Sequence, residues 1–201
     1  MTLVHGMLSP MARPAPAPAP VLSLDALARR AAGGDRPALE EALRQIAPDI
    51  AKLCHYVAGP NDGEDAAQQA LEKLIHRIGR FDGARGSFRS WALTVARNTC
   101  RDRLRRRGTE RRRRGGDESA VERAPTGVPS PERLVLARLD AGDLAAALET
   151  LPEGMRSAIV LFHVQGASYA EIADILAVPK GTVMTWLHRG RKRLREALEA
   201  R

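Results

Sequence analysis

Whatever core this chain forms must be assembled from aliphatic side chains. Hydrophobic residues fill 44% of its 201 positions, yet aromatic ones only 3%. A core of Leu, Ile, Val and Ala with few rings favours packed helices over strands, so the expected fold is all-α. The net charge is +8 and the sequence pI near 10.4, which makes an acidic polymer, nucleic acid first, the leading partner class. Only Cys54 and Cys100 occur, with no C-x-x-C pair, so neither a disulfide framework nor a zinc site is expected. Two reduced, buried thiols in a cytoplasmic chain are the expectation. No apolar run is long enough to span a bilayer, and the start shows no basic-then-apolar signal, so membrane insertion is not expected.

Punctuation divides the chain. Pro14, Pro16, Pro18 and Pro20 alternate with Ala, which marks residues 1–22 as an extended, disordered tail; Met7 and Met11 leave a later start open. A helical block covers 23–107, broken at Gly33-Gly34, at Gly59 to Gly63 and at Phe81 to Gly86. Its third helix puts Ala67, Leu71, Leu74 and Ile78 on one face and Asp65, Gln68, Gln69 and Glu72 on another. The fourth starts at Ser87, a good N-cap, and buries Phe88, Trp91, Ala92 and Val95, while Arg89, Arg97, Asn98, Arg101 and Arg105 face outward. Residues 108–133, with Arg111 to Arg114 and Pro125, Pro129 and Pro131, read as a flexible basic and Pro-rich linker. A second helical block covers 134–201, giving two small helical domains on a tether.

The second block carries the sharper motif. Ser168-Tyr169-Ala170-Glu171 has the form of a capping box and opens a short helix with Ile172, Ala173, Ile175 and Leu176 inward. A tight turn at Ala177-Val178-Pro179 leads to a helix with Val183, Leu187, Gly190, Leu194 and Leu198 on one stripe. This pattern is a helix-turn-helix with a basic outer face. Small and polar residues at the start of such a second helix can enter the major groove, and cations further along can neutralise phosphates. Lys180, Gly181, Thr182, Met184 and Thr185 are therefore base-edge candidates, with His188 beside them; Arg189, Arg191 and Lys192 are phosphate candidates.

These residues resemble a known family. Ser168 to Ala173, Gly181-Thr182-Val183 and Leu187 to Arg191 resemble region 4 of the extracytoplasmic-function (ECF) sigma factors of the sigma-70 family. Asp62 to Gln69 resembles their region 2.2, and Phe81-Asp82, Arg85 to Trp91, Ala96-Arg97-Asn98, Asp102 and Arg105-Arg106 resemble regions 2.3 and 2.4. The resemblance implies region 2 followed by region 4, with core RNA polymerase and promoter DNA as partners and no cofactor, metal or catalysis. It also suggests an anti-sigma factor, and a chain that joins the nucleoid when bound to polymerase.

Residue by residue, the resemblance implies that Asp65, Gln68, Gln69 and Glu72 grip the clamp helices of the polymerase largest subunit. Gln69 stands where an acid is commoner. Phe81 to Ser87 matches a loop that captures a base flipped from the minus-10 element, with Arg85, Ser87, Arg89, Arg97, Asn98 and Arg101 supplying the surface that holds the open strand. Core packing is the favoured role for Phe88 and Trp91, and Asp102 is expected to pair with Arg105 or Arg106. Ala177 takes the place of a Gly in a left-handed turn, at a cost of ~1 kcal/mol. Met184-Thr185-Trp186 replaces a more basic string, which moves more of the phosphate contact to Arg189, Arg191, Lys192 and Arg195, and Trp186 is expected to pack.

If the two domains bind elements one and a half to two DNA turns apart, the tether must bridge ~50 to 70 Å. A relaxed chain of about 25 residues spans ~28 Å and a fully extended one ~85 Å, so polymerase must hold it open. A stand-alone helix-turn-helix regulator is the main rival, but it leaves the first block without a purpose. A nucleic-acid enzyme is the other, and it lacks clustered carboxylates or an activated nucleophile; Glu64 and Asp65 diverge on their helix.

Overall fold

In the computed structural model, residues 22–113 and 141–199 are described, and they contain eight α-helices, a single 3₁₀ turn and no strand. Ser23 caps α1 (Leu24–Ala32) by accepting from the Ala26 amide at 3.3 Å. After Gly33-Gly34, Asp35 caps α2 (Arg36–Ala58), accepting from Ala38 at 3.0 Å, with Arg30 bonded to the same carboxylate. That amide and then that guanidinium hold the Asp35 carboxyl below its usual range.

The break expected over Gly59 to Gly63 contracts to Gly59, because α3 (Pro60–Arg77) already starts at Pro60. Proline at the first helical position has its φ preset and gives up an amide that the helix would leave unpaired. Gly63 lies inside α3 because α2 crosses there: a Cβ at Gly63 would stand 2.7 Å from His55 Cα. The 3₁₀ turn Ile78–Arg80 and a loop lead to α4 (Phe88–Arg113). This helix runs through residues 108–113, which the sequence reading put in the linker. A single Gly108 costs only about 1 kcal/mol in a helix, and the flanking arginines are good helix formers. The Ala/Pro tail to residue 21 and the tether from 114 to 140 lie outside the described residues.

The second block comprises α5 (Ala141–Glu149), α6 (Glu153–His163), α7 (Tyr169–Leu176) and α8 (Lys180–Glu199). In the first block α2 packs against α1, α3 and α4; in the second α6 lies against α8 and α7. The two meet where α2 touches α6 and α4 touches α7, so a continuous aliphatic core runs through both. Ile46, Ile50, Leu53, Leu74 and Leu93 on one side, and Leu148, Leu151, Ile159, Leu161, Ile172 and Leu187 on the other, are almost wholly buried. Each such side chain contributes about 1.5–3 kcal/mol. Cys54 and Cys100 are free and buried between α2 and α4, and their hydrogen bond together with burial pushes the Cys100 thiol up.

Candidate nucleic-acid interface

The loop from Phe81 to Ser87 is shaped by its own short-range bonds. Asp82 closes it, accepting from Ala84 on Oδ1 and from Arg85 on its carbonyl, both at 3.0 Å. Gly86 adopts φ +146°, a conformation open to glycine and rarely to other residues. Ser87 then caps α4 as expected, its hydroxyl accepting from Ser90 N at 3.2 Å and its carbonyl from Trp91 N at 3.1 Å. Phe81, Phe88 and Trp91 pack with ring centres 5.4–5.8 Å apart. Phe88 is fully buried and Phe81 and Trp91 close the cluster, so core packing holds for all three. Arg85 stands exposed on the loop.

Along α4 the expected cationic face divides. Arg101 is exposed, and Asn98 is half-buried with its Oδ1 at 3.4 Å from Arg97 Nη1. Arg89 and Arg97 do not face solvent as expected. Arg97 is only 7% exposed and forms two bonds of 3.1 Å to the Glu153 carboxylate. Arg89 donates to Asp49 at 2.8 Å and to the Gln165 carbonyl and side-chain oxygen at 2.8 and 2.9 Å. Helical period placed both on the outer face correctly; Glu153 and Gln165, which cover it, come from the second block. Asp102 pairs with Arg105 at 3.6 Å, the helical spacing expected.

On α3 the polar face is exposed at Asp65, Gln68 and Glu72, and Gln69 is half-buried. Gln68 donates to Glu72 at 3.2 Å, and Asp65 accepts from Arg103 of α4 at 2.9 Å. Asp62 holds Arg103 and Arg107 on the same seam. Sequence reasoning missed Ile75, which continues the stripe of Gln68 and Glu72 by helical spacing and is 45% exposed. An apolar residue at an outward helical position was the available signal.

In the helix-turn-helix, both halves of the capping box form: Ser168 Oγ accepts from Glu171 N, and Glu171 accepts from Ser168 N at 2.8 Å. Those bonds lower the pKa of Glu171. Ala177 adopts φ 54°, ψ 48°, the left-handed cap expected of a residue standing in for glycine. Val183, Leu187, Gly190 and Leu194 are buried as read, and Trp186 packs against Gly154, where a Cβ would come within 2.7 Å of the indole. Lys180, Gly181, His188 and Lys192 are exposed, and Thr182, Met184 and Arg189 are half-buried. Thr185 is only 8% exposed, which removes it from the outward set. Its hydroxyl donates to the Gly181 carbonyl one turn back, the usual retreat of a helical threonine onto its own backbone. Arg191 is drawn toward α6, bonded to His163 Nε2 at 3.2 Å and stacked 5.3 Å from the Phe162 ring centre.

The two blocks match separate family models, Sigma-70 region 2 over residues 42–110 and Sigma-70 region 4 over residues 141–194. The ECF RNA polymerase sigma factor SigW of Bacillus subtilis is 31% identical over 177 residues, which cover 82% of this chain and 91% of that one. The chain belongs to the ECF sigma factors. The ECF sigma-E factor of Escherichia coli is 30% identical, with 83% of this chain and 89% of that one covered. SigE of Mycolicibacterium smegmatis is 33% identical over 81% of this chain, which spans 62% of that relative's length. Among solved structures, the sigma factor RpoE of Bartonella quintana, in complex with the anti-sigma factor NepR, superposes with a TM-score of 0.63. It is 26% identical, covering 80% of this chain and 96% of that one. As an alternative sigma factor, the protein directs RNA polymerase to promoters. The rival reading as a stand-alone regulator finds no support, because the first block is region 2.

In this sigma factor, region 4 is docked onto region 2 through groups the sequence reading did not single out. Arg156 is buried and donates to the carbonyls of Val57 at 2.8 Å, Glu149 at 2.9 Å and Leu151 at 3.0 Å. Burial lowers its pKa, and its Nε has no acceptor among the described residues. Gln165 donates to the Asp49 carbonyl at 2.8 Å while accepting from Arg89. Between the loop and α7 lies a cavity of about 730 Å³, with Arg80, Phe81, Arg85 and Trp91 on one wall and Glu171 and Asp174 on the other. Region 4 thus turns acidic side chains toward the cations of region 2.

Proposed function

We propose that this sigma factor uses the Phe81 to Ser87 loop with Arg85, Ser87, Arg89, Arg97, Asn98 and Arg101 to hold the opened minus-10 strand. The α8 helix reads the minus-35 element, with Lys180, Gly181, Thr182 and Met184 at base edges, His188 beside them, and Arg189, Arg191 and Lys192 toward phosphates. Asp65, Gln68, Gln69 and Glu72 on α3, with Ile75 beside them, form the grip on core polymerase. Its role is binding rather than catalysis, exercised in the cytoplasm on the nucleoid. No described helix is long and apolar enough to cross a membrane.

The observation that carries this reading is the placement of a helix-turn-helix with an exposed cationic face and a ring-backed, arginine-bearing loop on one chain. Glu153, Gln165 and Asp49 occupy Arg97 and Arg89 in the docked arrangement, so the chain alone binds promoter DNA weakly. Core polymerase, by drawing region 4 away from region 2, frees Arg97 and removes Gln165 from Arg89, which then keeps only its pair with Asp49. An anti-sigma factor acts in the opposite sense, holding the regions docked; RpoE of Bartonella quintana is seen with such a partner.

The test is in vitro transcription on fragmented genomic DNA with purified bacterial core, with and without the protein. Defined new start sites are expected. Sequence-specific DNA binding by the protein alone, with no new starts, would overturn the proposal.

A further inference from the structure

One half-buried seam of region 2 serves none of the contacts assigned so far. At the start of α4, Ser87 supplies acceptors for the amides of Ser90 and Trp91. The Phe88 amide is bonded from elsewhere: Asp25 Oδ1, in the first turn of α1 and 63 residues away, accepts it at 2.7 Å. A carboxylate at a helix N-terminus combines a strong hydrogen bond with attraction to the helix dipole. The same short helix reaches the rest of the loop. Arg29, one turn after Asp25, lies 3.4–3.6 Å from where a Gly83 Cβ would stand, and α1 packs against the 3₁₀ turn that precedes Phe81.

We propose that Asp25 is a positioning residue for promoter opening, acting through the backbone of Phe88 on the loop that captures the flipped base. This rests on the reading of Phe81 to Ser87 given above. Phe88 is the residue at which the loop becomes helix and the ring against which both Phe81 and Trp91 pack. Pinning its amide fixes the angle at which the loop enters α4 and therefore where Arg85 and Ser87 stand relative to the Phe81, Phe88 and Trp91 rings. An extruded base has lost its stacking, so a pocket must be preformed to hold it, and a loop free to drift would not hold the open strand. Asp25 touches no DNA in this scheme.

The experiment uses holoenzyme assembled from core and the full chain, on a promoter taken from mapped start sites. Opening is followed by permanganate reactivity of unpaired thymines on duplex and on the same promoter with a preformed bubble. Asp25→Ala should lower opening on the duplex roughly tenfold, the effect expected of a lost cap. Core binding should be unchanged and the defect largely absent on the bubble, where opening is already done. Asp25→Asn, which keeps an acceptor, should stay within about threefold of the wild type. Opening by the Ala variant within twofold of wild type, an equal loss on duplex and bubble, or an Asn variant as impaired as Ala would each overturn the proposal. If the Ala variant loses core binding, Arg29→Ala decides, because its side chain is exposed and its removal empties no core. Opening reduced with core binding intact supports the positioning role, and wild-type opening overturns it. Arg85→Ala separates the two claims: if it opens the promoter normally, the reading of the loop fails; if only Asp25→Ala is normal, the positioning role alone fails.

Discussion

Region 2 and region 4 are both small helical units with basic faces, yet they manage their charge in opposite ways. On α4 of region 2, Arg89 and Arg97 are covered and neutralised by Asp49, Gln165 and Glu153, and Arg103 is tied to Asp62 and Asp65. On α8 of region 4, Lys180 and His188 face solvent, and Lys192 has only a loose pair with Glu196 at 3.8 Å. The surface proposed to hold the strand is thus partly sequestered in the docked protein, while much of the surface proposed to read duplex is not. That division suits the order of events, since duplex can be read before any strand is free, whereas single-strand contacts matter only after opening.

The largest effect is expected at the pin between the regions. Arg156→Ala strands the buried carbonyls of Val57 and Leu151 and the part-buried one of Glu149, so it should cost about 3 kcal/mol and separate region 4 from region 2, read by thermal unfolding and small-angle scattering. Next comes the ion pair. Glu153→Gln should leave region 2 folded but loosen the docking, raising the affinity of the free chain for a minus-10 single strand about tenfold, measured by fluorescence anisotropy. An unchanged affinity would mean that covering Arg97 does not restrain binding.

Acid should test the cap of α7. Glu171 has a folded-state pKa below its unfolded value, so its contribution is complete above the ordinary carboxylate range and is lost as pH falls through the lowered value. Helicity of region 4, followed by circular dichroism, should therefore fall in that acidic window. Glu171→Gln, which can still complete the box without a titrating group, should flatten the response. The smallest effect is at the turn: Ala177→Gly should stabilise region 4 by about 1 kcal/mol, because φ 54° is free to glycine, and unfolding midpoints should rise accordingly. A loss instead would show that the Ala177 side chain contributes packing that its exposure does not suggest.

Much of this was legible from residue order. The all-α class, the helices from Ser23 onward, the cap at Ser87, the capping box at Ser168 and the left-handed Ala177 all rest on interactions within three or four residues, where chain connectivity brings the groups together. The same locality explains the buried stripes of α4 and α8, since a period of 3.6 needs no knowledge of the partner. Where local signals were weak the reading slipped: Gly108 looked like a break but lies within α4, and Gly63 looked like a turn but serves a helix crossing.

Tertiary structure alone decided which outward residues stay outward. Arg89 and Arg97 are on the face their spacing assigns, but their acceptors lie 76 and 56 residues away. Nothing in the sequence marked Asp25 before the fold brought it to Phe88 across 63 residues, or Arg156 before the fold brought Val57 to it from 99 residues upstream. A sequence specifies a helix through contacts within one turn, where the loop to be closed is only three or four residues long. Pairings over such distances depend on a complete set of packed surfaces, and no short window of residues contains them.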